Sequence, residues 1–239
     1  MKYIYGPVKS RRLGWSLGIS LTHYKVCSFD CIYCQLGKTT QRYSQRTECV
    51  PISEVIEEFK FWLVNNKDDA AKLQFVTLSG SGEPTLNLRI AELISELRKI
   101  LTVPIAVITN SSLLPDPLVR QALMGADLIV PSLDAVTQEV FDKIDRPLAG
   151  IKIEEIIEGL VSLRQEFKGK IWLEVMLVKG VNDDLRHIRK LKEALDRINP
   201  DIVQLNSPVR VTAEADVVPV DKPKLEKIRE ILGDKAVIV

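Results

Sequence analysis

The chain has 239 residues, 46% hydrophobic and 27% charged, a composition typical of a globular protein with a large apolar core. Its 33 basic and 32 acidic residues leave a net charge of +1, which excludes a global electrostatic attraction to nucleic acid, so RNA binding would need a local basic patch. No apolar run approaches the length of a membrane span, and no basic and then apolar leader is visible, so we expect a cytoplasmic protein.

Short apolar runs alternate with amphipathic stretches along the chain, and this pattern predicts parallel βα units. The first predicted strand, residues 16–21, leads into a cysteine-rich loop. A helix is then predicted over 51–65, because Val55, Ile56 and Phe59 follow at helical spacing. The later predicted strands span 75–78, 105–108, 128–130, 171–178 and 202–205. The helices between and after them are predicted to end near 101, 124, 167, 198 and 231.

Six βα repeats are too few for a closed eight-fold barrel, and they predict an open, partial (β/α)6 parallel barrel of the α/β class. We treat 1–239 as a single domain, with a core at about 14–207 and a short C-terminal extension at 208–239. The ligand site of such folds gathers at the C-terminal ends of the strands, where polar and glycine residues collect here. These residues are Gly80, Gly82, Glu83, Asn110, Ser132, Asp134, Asn182 and Asn206.

Three of the four cysteines lie within eight residues, in a C-x3-C-x2-C run. Because Cys27, Cys31 and Cys34 belong to the same loop, their sulfurs can converge on one metal centre. Structural zinc sites and ferredoxin-type clusters normally take four protein ligands. A three-cysteine site therefore leaves one metal position open for a substrate or cofactor.

Other interpretations of the cysteine run stay open. Zinc is the main competitor, because His23 lies four residues before Cys27 and could complete the site of a non-catalytic zinc-binding module. A disulfide is disfavoured by the expected compartment, and a thioredoxin-like pair would leave Cys27 unexplained. Of the residues outside the run, Cys49 is expected to be an inert buried thiol, and His187, in a charged helix, is expected to be exposed.

The C-x3-C-x2-C run, with the aromatic Tyr33 directly before its last cysteine, resembles the radical S-adenosylmethionine (SAM) superfamily over about 14–206. The resemblance implies that the three cysteines hold a [4Fe-4S] cluster, with its fourth iron chelated by the amino and carboxylate groups of SAM. It implies an enzyme in which SAM is split to methionine and a 5′-deoxyadenosyl radical that abstracts hydrogen from a substrate. It also implies an external one-electron donor of the flavodoxin or ferredoxin type.

The segment Gly80-Ser81-Gly82-Glu83-Pro84 allows a choice between two ligands. A dinucleotide fold requires G-x-G-x-x-G, but Thr85 replaces the third glycine. The segment instead resembles the GGEP motif of radical SAM enzymes, which holds the methionyl amino group, with Ser81 in place of the first glycine. Glycine permits close backbone approach and Glu83 can accept from an ammonium. The alternative is a plain strand-to-helix turn with Glu83 near a helix N-terminus.

Further SAM contacts follow from the resemblance at three strand ends. Asn110 matches the third strand end, and Ser132 with Asp134 matches the fourth, near the SAM ribose or the substrate. These residue types are also ordinary loop and cap residues. Met176 lies where the family often contacts adenine, although a lone methionine in an apolar strand is more often core. The full set of implied SAM-binding residues is Tyr33, Gly80, Ser81, Gly82, Glu83, Asn110, Ser132, Asp134 and Met176.

Two substrate classes are open. The block 6–19 with the cysteine loop resembles a compact group related to wyosine-type tRNA synthases, although Cys49 alone cannot hold their second cluster. The shortness of the chain suits a glycyl-radical activating enzyme, which acts on a partner protein. For tRNA, six basic residues form either a rim for phosphate or a solvated loop face. They are Lys9, Arg11, Arg12, Lys38, Arg42 and Arg46.

Overall fold

A computed structural model describes residues 1–239, and its central feature is an eight-stranded sheet flanked by helices. The strands are β1 Ile4–Ser10, β2 Gly14–Ser20, β3 Val26–Cys27, β4 Gln41–Arg42, β5 Phe75–Ser79, β6 Ile105–Thr109, β7 Leu128–Pro131, β8 Lys170–Met176, β9 Ile202–Asn206 and β10 Ala236–Ile238. The helices are α1 Ile52–Asn65, α2 Lys67–Ala70, α3 Ile90–Arg98, α4 Pro117–Ala122, α5 Gln138–Ile144, α6 Ile153–Glu166, α7 Leu185–Ile198 and α8 Lys222–Leu232.

The main sheet has the order β1-β2-β5-β6-β7-β8-β9-β10. Every neighbouring pair from β2 to β10 is parallel, and only β1 runs antiparallel to its neighbour. Alternate strand residues such as Leu17 and Leu173 are fully buried in one apolar cluster with helix residues such as Phe59. A second, smaller cluster on the other face of the sheet includes Ala106 and Val130. The partial (β/α)6 barrel is confirmed, with one added strand at each edge.

The two edge strands are absent from the sequence prediction. Within β1, Gly6 and Pro7 interrupt the alternating pattern, and most of its side chains are exposed because it has one neighbour only. β10 has three residues, too few for a periodic pattern. The helix predicted directly after the Gly-Glu-Pro turn is also different: a 3-10 helix, Pro84–Leu86, comes first, and α3 begins at Ile90. None of the helices has both the length and the apolar character needed to cross a bilayer.

The connection between β1 and β2 contacts strands on the far side of the sheet. The Arg12 guanidinium donates to Glu174 on β8, and Asn206 Nδ2 at the end of β9 donates to the same carboxylate at 2.9 Å. Arg11 donates to Asn206 Oδ1 at 2.9 Å and to the backbone oxygen of Val239 at 3.0 Å. These contacts join the first strand pair to β8, β9 and the segment after β10.

A single carboxylate attaches the start of β1 to α1. Glu58 accepts hydrogen bonds from the backbone N–H groups of Lys2, Tyr3 and Ile4 at 2.9, 2.9 and 2.8 Å. Partial burial alone would raise the pKa of Glu58, but the three donors outweigh it and hold the pKa below the ordinary value of 4.5.

We expect Glu58→Ala to lower the free energy of unfolding at pH 7 by about 1–2 kcal/mol, a modest figure because the carboxylate is only half-buried and partly screened. Because the folded pKa is lowered, the stabilisation is present above pH 4.5 and is lost as the pH falls through the folded pKa. Urea unfolding across this range measures both effects. Glu57→Ala, at an exposed neighbouring position, is the control, and an equal loss in both variants would contradict the prediction.

Candidate active site

The cysteine loop, residues 27–34, is held by the end of helix α5. Asp30 N–H donates to the backbone oxygen of Asp145 at 3.0 Å, and Ile32 N–H donates to that of Ile144 at 2.9 Å. The last carbonyls of a helix lack partners within the helix, so they are available to accept from the loop. The loop therefore has a fixed backbone position against the barrel.

The three cysteines of the loop are free, half-buried thiols with different polar neighbours. Asn110 Nδ2 lies 3.4 Å from Cys27 Sγ, and Lys25 Nζ donates to Cys34 Sγ at 3.0 Å. Burial, followed by nearby negative charge, raises the pKa of Cys27 to about 11 and that of Cys31 well above its ordinary value. Metal binding to these thiols would therefore release protons.

The Gly-Glu-Pro turn lies directly against the start of the cysteine loop. Glu83 N–H donates to the backbone oxygen of Val26 at 3.1 Å. A Cβ atom on Gly82 would lie 1.9 Å from that same oxygen and 2.6 Å from Thr22 Oγ1, so only glycine fits there. Gly80 has a φ of 108°, a backbone conformation that favours glycine. Both glycines of the predicted motif are thus explained by backbone geometry.

Glu83 is a buried carboxylate with no basic partner. Its Oε1 accepts from Thr85 N–H at 3.0 Å and from the hydroxyls of Thr85 and Thr109 at 2.6 and 2.7 Å. Its Oε2 accepts only from Asn110 N–H, at 2.7 Å. Burial raises the pKa of Glu83 although these donors oppose the shift. The residue does begin a short helix, as the simpler alternative predicted, but Oε2 keeps an acceptor position for a further donor.

Tyr33 joins the cysteine loop to the ends of two strands. Its hydroxyl donates to Asp134, whose Oδ1 also accepts the Met176 N–H at 2.7 Å, and Asp145 Oδ1 lies 3.4 Å from the same hydroxyl. Burial raises the pKa of Asp145 to about 7, and burial with the Asp145 charge raises the pKa of Asp134 well above its ordinary value. Both carboxylate oxygens of Asp134 therefore accept from protein donors, and the residue positions Tyr33.

The structure brings most of the predicted residues to one place. Tyr33, Asn110, Ser132 and Asp134 line a small cavity beneath the cysteine loop, and Met176 adjoins it through its backbone contact with Asp134. The residues of the Gly-Glu-Pro turn reach the same region through the Glu83 contact with Asn110.

A second cavity, of about 240 Å³, also borders the cysteine loop. It is bounded by Ile32, by Val178 and Val181 after β8, and by Glu214. The Glu214 N–H donates to the backbone oxygen of Ile32 at 3.1 Å, so the segment after β9 contacts the cysteine loop directly. The predicted C-terminal extension thus forms part of the site wall.

Sequence reasoning missed two residues of the site, and it predicted the wrong exposure for two residues outside it. Lys25 and Asp145 contact the cysteines or Tyr33 but lie outside the strand ends, so no rule pointed to them. The exposed position predicted for His187 is wrong: it is 4% exposed, because its imidazole faces the backbone of Asp134, and burial lowers its pKa. Cys49 is half-buried rather than buried, beside the Thr47 hydroxyl.

A partial barrel with a ligand site at its strand ends and an adjoining cysteine loop defines a class of α/β enzymes. Residues 21–191 match the model of the Radical SAM superfamily, and the chain belongs to this family. Its members use a [4Fe-4S] cluster and SAM and need an external electron donor, so the predicted cofactors are confirmed at this level.

Two relatives have similar sequences. A protein of Brachyspira hyodysenteriae named GTPase Obg is 38% identical over 229 residues, which cover 96% of this chain and 33% of that protein. A UPF0026 protein of Methanocaldococcus jannaschii is 35% identical over 235 residues, covering 98% of this chain and 71% of that protein. The chain therefore spans a third of the first relative and most of the second.

Among the solved structures that share the fold are the following three. A radical SAM methyltransferase from Sphaerobacter thermophilus has a TM-score of 0.65 at 19% sequence identity. The match covers 94% of this chain and 65% of the methyltransferase chain. Archaeal TYW1 has a TM-score of 0.61 at 20% sequence identity, and the match covers 92% of this chain and 72% of the TYW1 chain. A domain of pyruvate-formate lyase-activating enzyme from Bacteroides vulgatus has a TM-score of 0.55 at 22% sequence identity. This match covers 69% of this chain and 98% of that domain. The last two represent the two groups that the sequence resembles.

The residues of the site fit a cluster better than a zinc ion. No three His, Cys, Asp or Glu side chains lie close enough together to hold one metal ion. A cubane cluster does not require such a group, since each cysteine binds a separate iron. His23, the fourth ligand of the zinc alternative, is exposed, and no hydrogen bond joins it to a cysteine. The buried and unpaired carboxylate of Glu83 matches the need of SAM for an acceptor.

Proposed function

We propose that Cys27, Cys31 and Cys34 hold a [4Fe-4S] cluster and that SAM binds its open iron. The observation that carries this proposal is the contact between the cysteine loop and a turn whose buried carboxylate, Glu83, has no basic partner. When bound, the cluster and SAM supply a 5′-deoxyadenosyl radical that abstracts hydrogen from a substrate. This makes the chain an oxidoreductase or a lyase.

The chain's own residues bind and orient SAM. Glu83 Oε2 would accept from the SAM ammonium, because it keeps an acceptor position beside the Asn110 N–H. Asn110 and Ser132 present polar side chains to the small cavity, and the Tyr33 ring is fixed in place by Asp134. The larger cavity, bounded by Ile32 and Val178, offers room for the nucleoside. The segment around Glu214 shields this side of the loop from water.

The test is anaerobic reconstitution with iron and sulfide, followed by dithionite and SAM. We expect a brown protein with about four irons per chain that forms 5′-deoxyadenosine. The triple variant Cys27→Ala, Cys31→Ala, Cys34→Ala should lose iron and product, whereas Cys49→Ala should keep both. A colourless protein that binds zinc and leaves SAM intact would overturn the proposal in favour of the zinc module.

For the substrate, tRNA is one candidate, supported by the wyosine-type sequence resemblance. The predicted basic rim gives it little further support, because most of its members donate within the chain: Arg42 to Asp30 at 2.9 Å and Arg46 to the backbone oxygen of Thr85 at 3.0 Å. Retention of tRNA at low salt with a steep loss at higher salt would support this candidate. Binding without salt dependence would count against it.

The second candidate is a partner protein that receives a glycyl radical. It is supported by the fold that the chain shares with the pyruvate-formate lyase-activating enzyme domain, which is matched over almost its whole length. Hydrogen abstraction from glycine would leave a glycyl radical on the partner, detected by electron paramagnetic resonance. The partner encoded beside this protein is the one to assay, and a silent spectrum despite 5′-deoxyadenosine formation would exclude that partner.

A further inference from the structure

We propose that Lys25 supplies a fixed positive charge beside the cluster and raises its reduction potential. This inference rests on the proposed function, because it assumes that Cys34 is a cluster ligand. Lys25 is 3% exposed, and the only hydrogen-bond acceptor of its ammonium is Cys34 Sγ, at 3.0 Å. Burying an ammonium is costly unless something compensates the charge.

Lys25 differs from the other basic residues around the loop in having no acidic partner. Arg42 pairs with Asp30 at 2.9 Å, and Lys38 pairs with Glu214 at 3.4 Å. No carboxylate lies within salt-bridge distance of the Lys25 ammonium. The nearest group that can compensate the charge is therefore the sulfur beside it, together with what that sulfur binds.

The backbone of Lys25 is held in an unusual conformation. Its φ of 57° lies in the left-handed region, which costs a residue with a Cβ atom of order 1 kcal/mol or more. Its N–H donates to the backbone oxygen of Ser81 at 2.6 Å, and its own oxygen accepts from Gln41 N–H. The Gly-Glu-Pro turn and β4 thus fix the direction of the side chain, which places the ammonium on Cys34.

The other buried ionisable side chains near the loop that lack a partner of opposite charge are acidic. Glu83, Asp134 and Asp145 are buried carboxylates without basic partners. Reduction of a cluster adds one negative charge to these acidic surroundings. The reduction potential of a cluster depends on its net charge and on hydrogen bonds to its sulfurs. A buried ammonium that donates to a ligand sulfur stabilises the reduced form more than the oxidised form. Lys25 therefore makes the cluster easier to reduce.

The experiment measures the midpoint potential of the reconstituted cluster by a redox titration followed by electron paramagnetic resonance. In Lys25→Met, which removes the charge at similar length, the ratio of reduced to oxidised cluster at a fixed potential should fall about tenfold, equal to about 59 mV. Lys25→Arg keeps the charge and should stay closer to wild type. Lys38→Met removes an exposed lysine near the loop and should not shift the potential, because solvent screens it.

The outcomes separate this inference from the proposed function. If wild-type protein holds no four-iron cluster, the proposed function fails first. If Lys25→Met keeps its iron and its potential is unchanged, Lys25 does not act through charge and the inference is overturned. Loss of iron in both Lys25→Met and Lys25→Arg would also overturn it, since Lys25 would then be needed for the packing of the cysteine loop and not for its charge. Loss of iron in Lys25→Met alone would overturn it too, because the charge would then act on ligation rather than on the potential.

Discussion

Replacing Glu83 by alanine is expected to lower the free energy of unfolding by about 3 kcal/mol and to abolish 5′-deoxyadenosine formation. The substitution leaves the buried N–H groups of Thr85 and Asn110 without acceptors, and each such group costs about 1–3 kcal/mol. It also removes the acceptor proposed for the SAM ammonium. Urea unfolding of the purified protein and product analysis after reconstitution measure the two effects separately.

Glu83→Gln distinguishes the structural role from the binding role. The glutamine oxygen can still accept from the Thr85 and Thr109 hydroxyls, while its NH₂ group faces the Asn110 N–H, donor against donor. We expect a smaller loss of stability than in Glu83→Ala, with four irons retained and product formation still strongly reduced. Full product formation by Glu83→Gln would show that the negative charge is not needed to bind SAM.

Replacing Gly82 by alanine is expected to separate the Gly-Glu-Pro turn from the cysteine loop. The new methyl group would lie 1.9 Å from the Val26 backbone oxygen, and neither backbone can give way as a flexible side chain would. Overpacking of this kind costs about 3 kcal/mol. Because Val26 adjoins Cys27, the displaced loop should also hold fewer irons after reconstitution.

The matched control for this substitution is Gly125→Ala. There the new methyl group would lie 2.9 Å from Ile94 Cγ2, a methyl group of a buried core side chain rather than a backbone oxygen. We expect unchanged iron content in Gly125→Ala, because none of its contacts is in the cysteine loop, and a loss of stability of about 1–2 kcal/mol from overpacking of the core. If Gly82→Ala were as stable as Gly125→Ala and held four irons, the turn and the loop would have to be less tightly packed than described.

The parts of the site that the sequence predicted are those carried by short motifs. The cysteine run and the Gly-Glu-Pro segment each bring several groups together within a few residues, so their spacing alone indicated a site. Asn110 and Asp134 followed from the rule that parallel strands end at the same edge. That rule predicts proximity but not partners, and it could not show that both oxygens of Asp134 accept from protein donors.

The missed residues depend on contacts between segments that are distant in sequence. Lys25 looks like an exposed loop lysine until the turn after β5 and strand β4 are packed around it. Asp145 follows a helix, where an acidic residue has no special meaning until the cysteine loop lies against it. The edge strand β1 was hidden because Gly6 and Pro7 break its pattern. In each case the burial comes from tertiary packing, which composition and periodicity do not report.

The anchoring of the cysteine loop on α5 has a consequence for the order of events during folding. The carbonyls of Ile144 and Asp145 that fix the loop are contributed by residues far downstream of it, so the loop stays without its support until three further βα units have been synthesised. Contacts with high contact order form late and slowly. Arg11 extends this delay, because its partners lie 195 and 228 residues away. Iron delivered to a nascent chain would meet three mobile thiols, so productive metallation belongs after the partial barrel has folded.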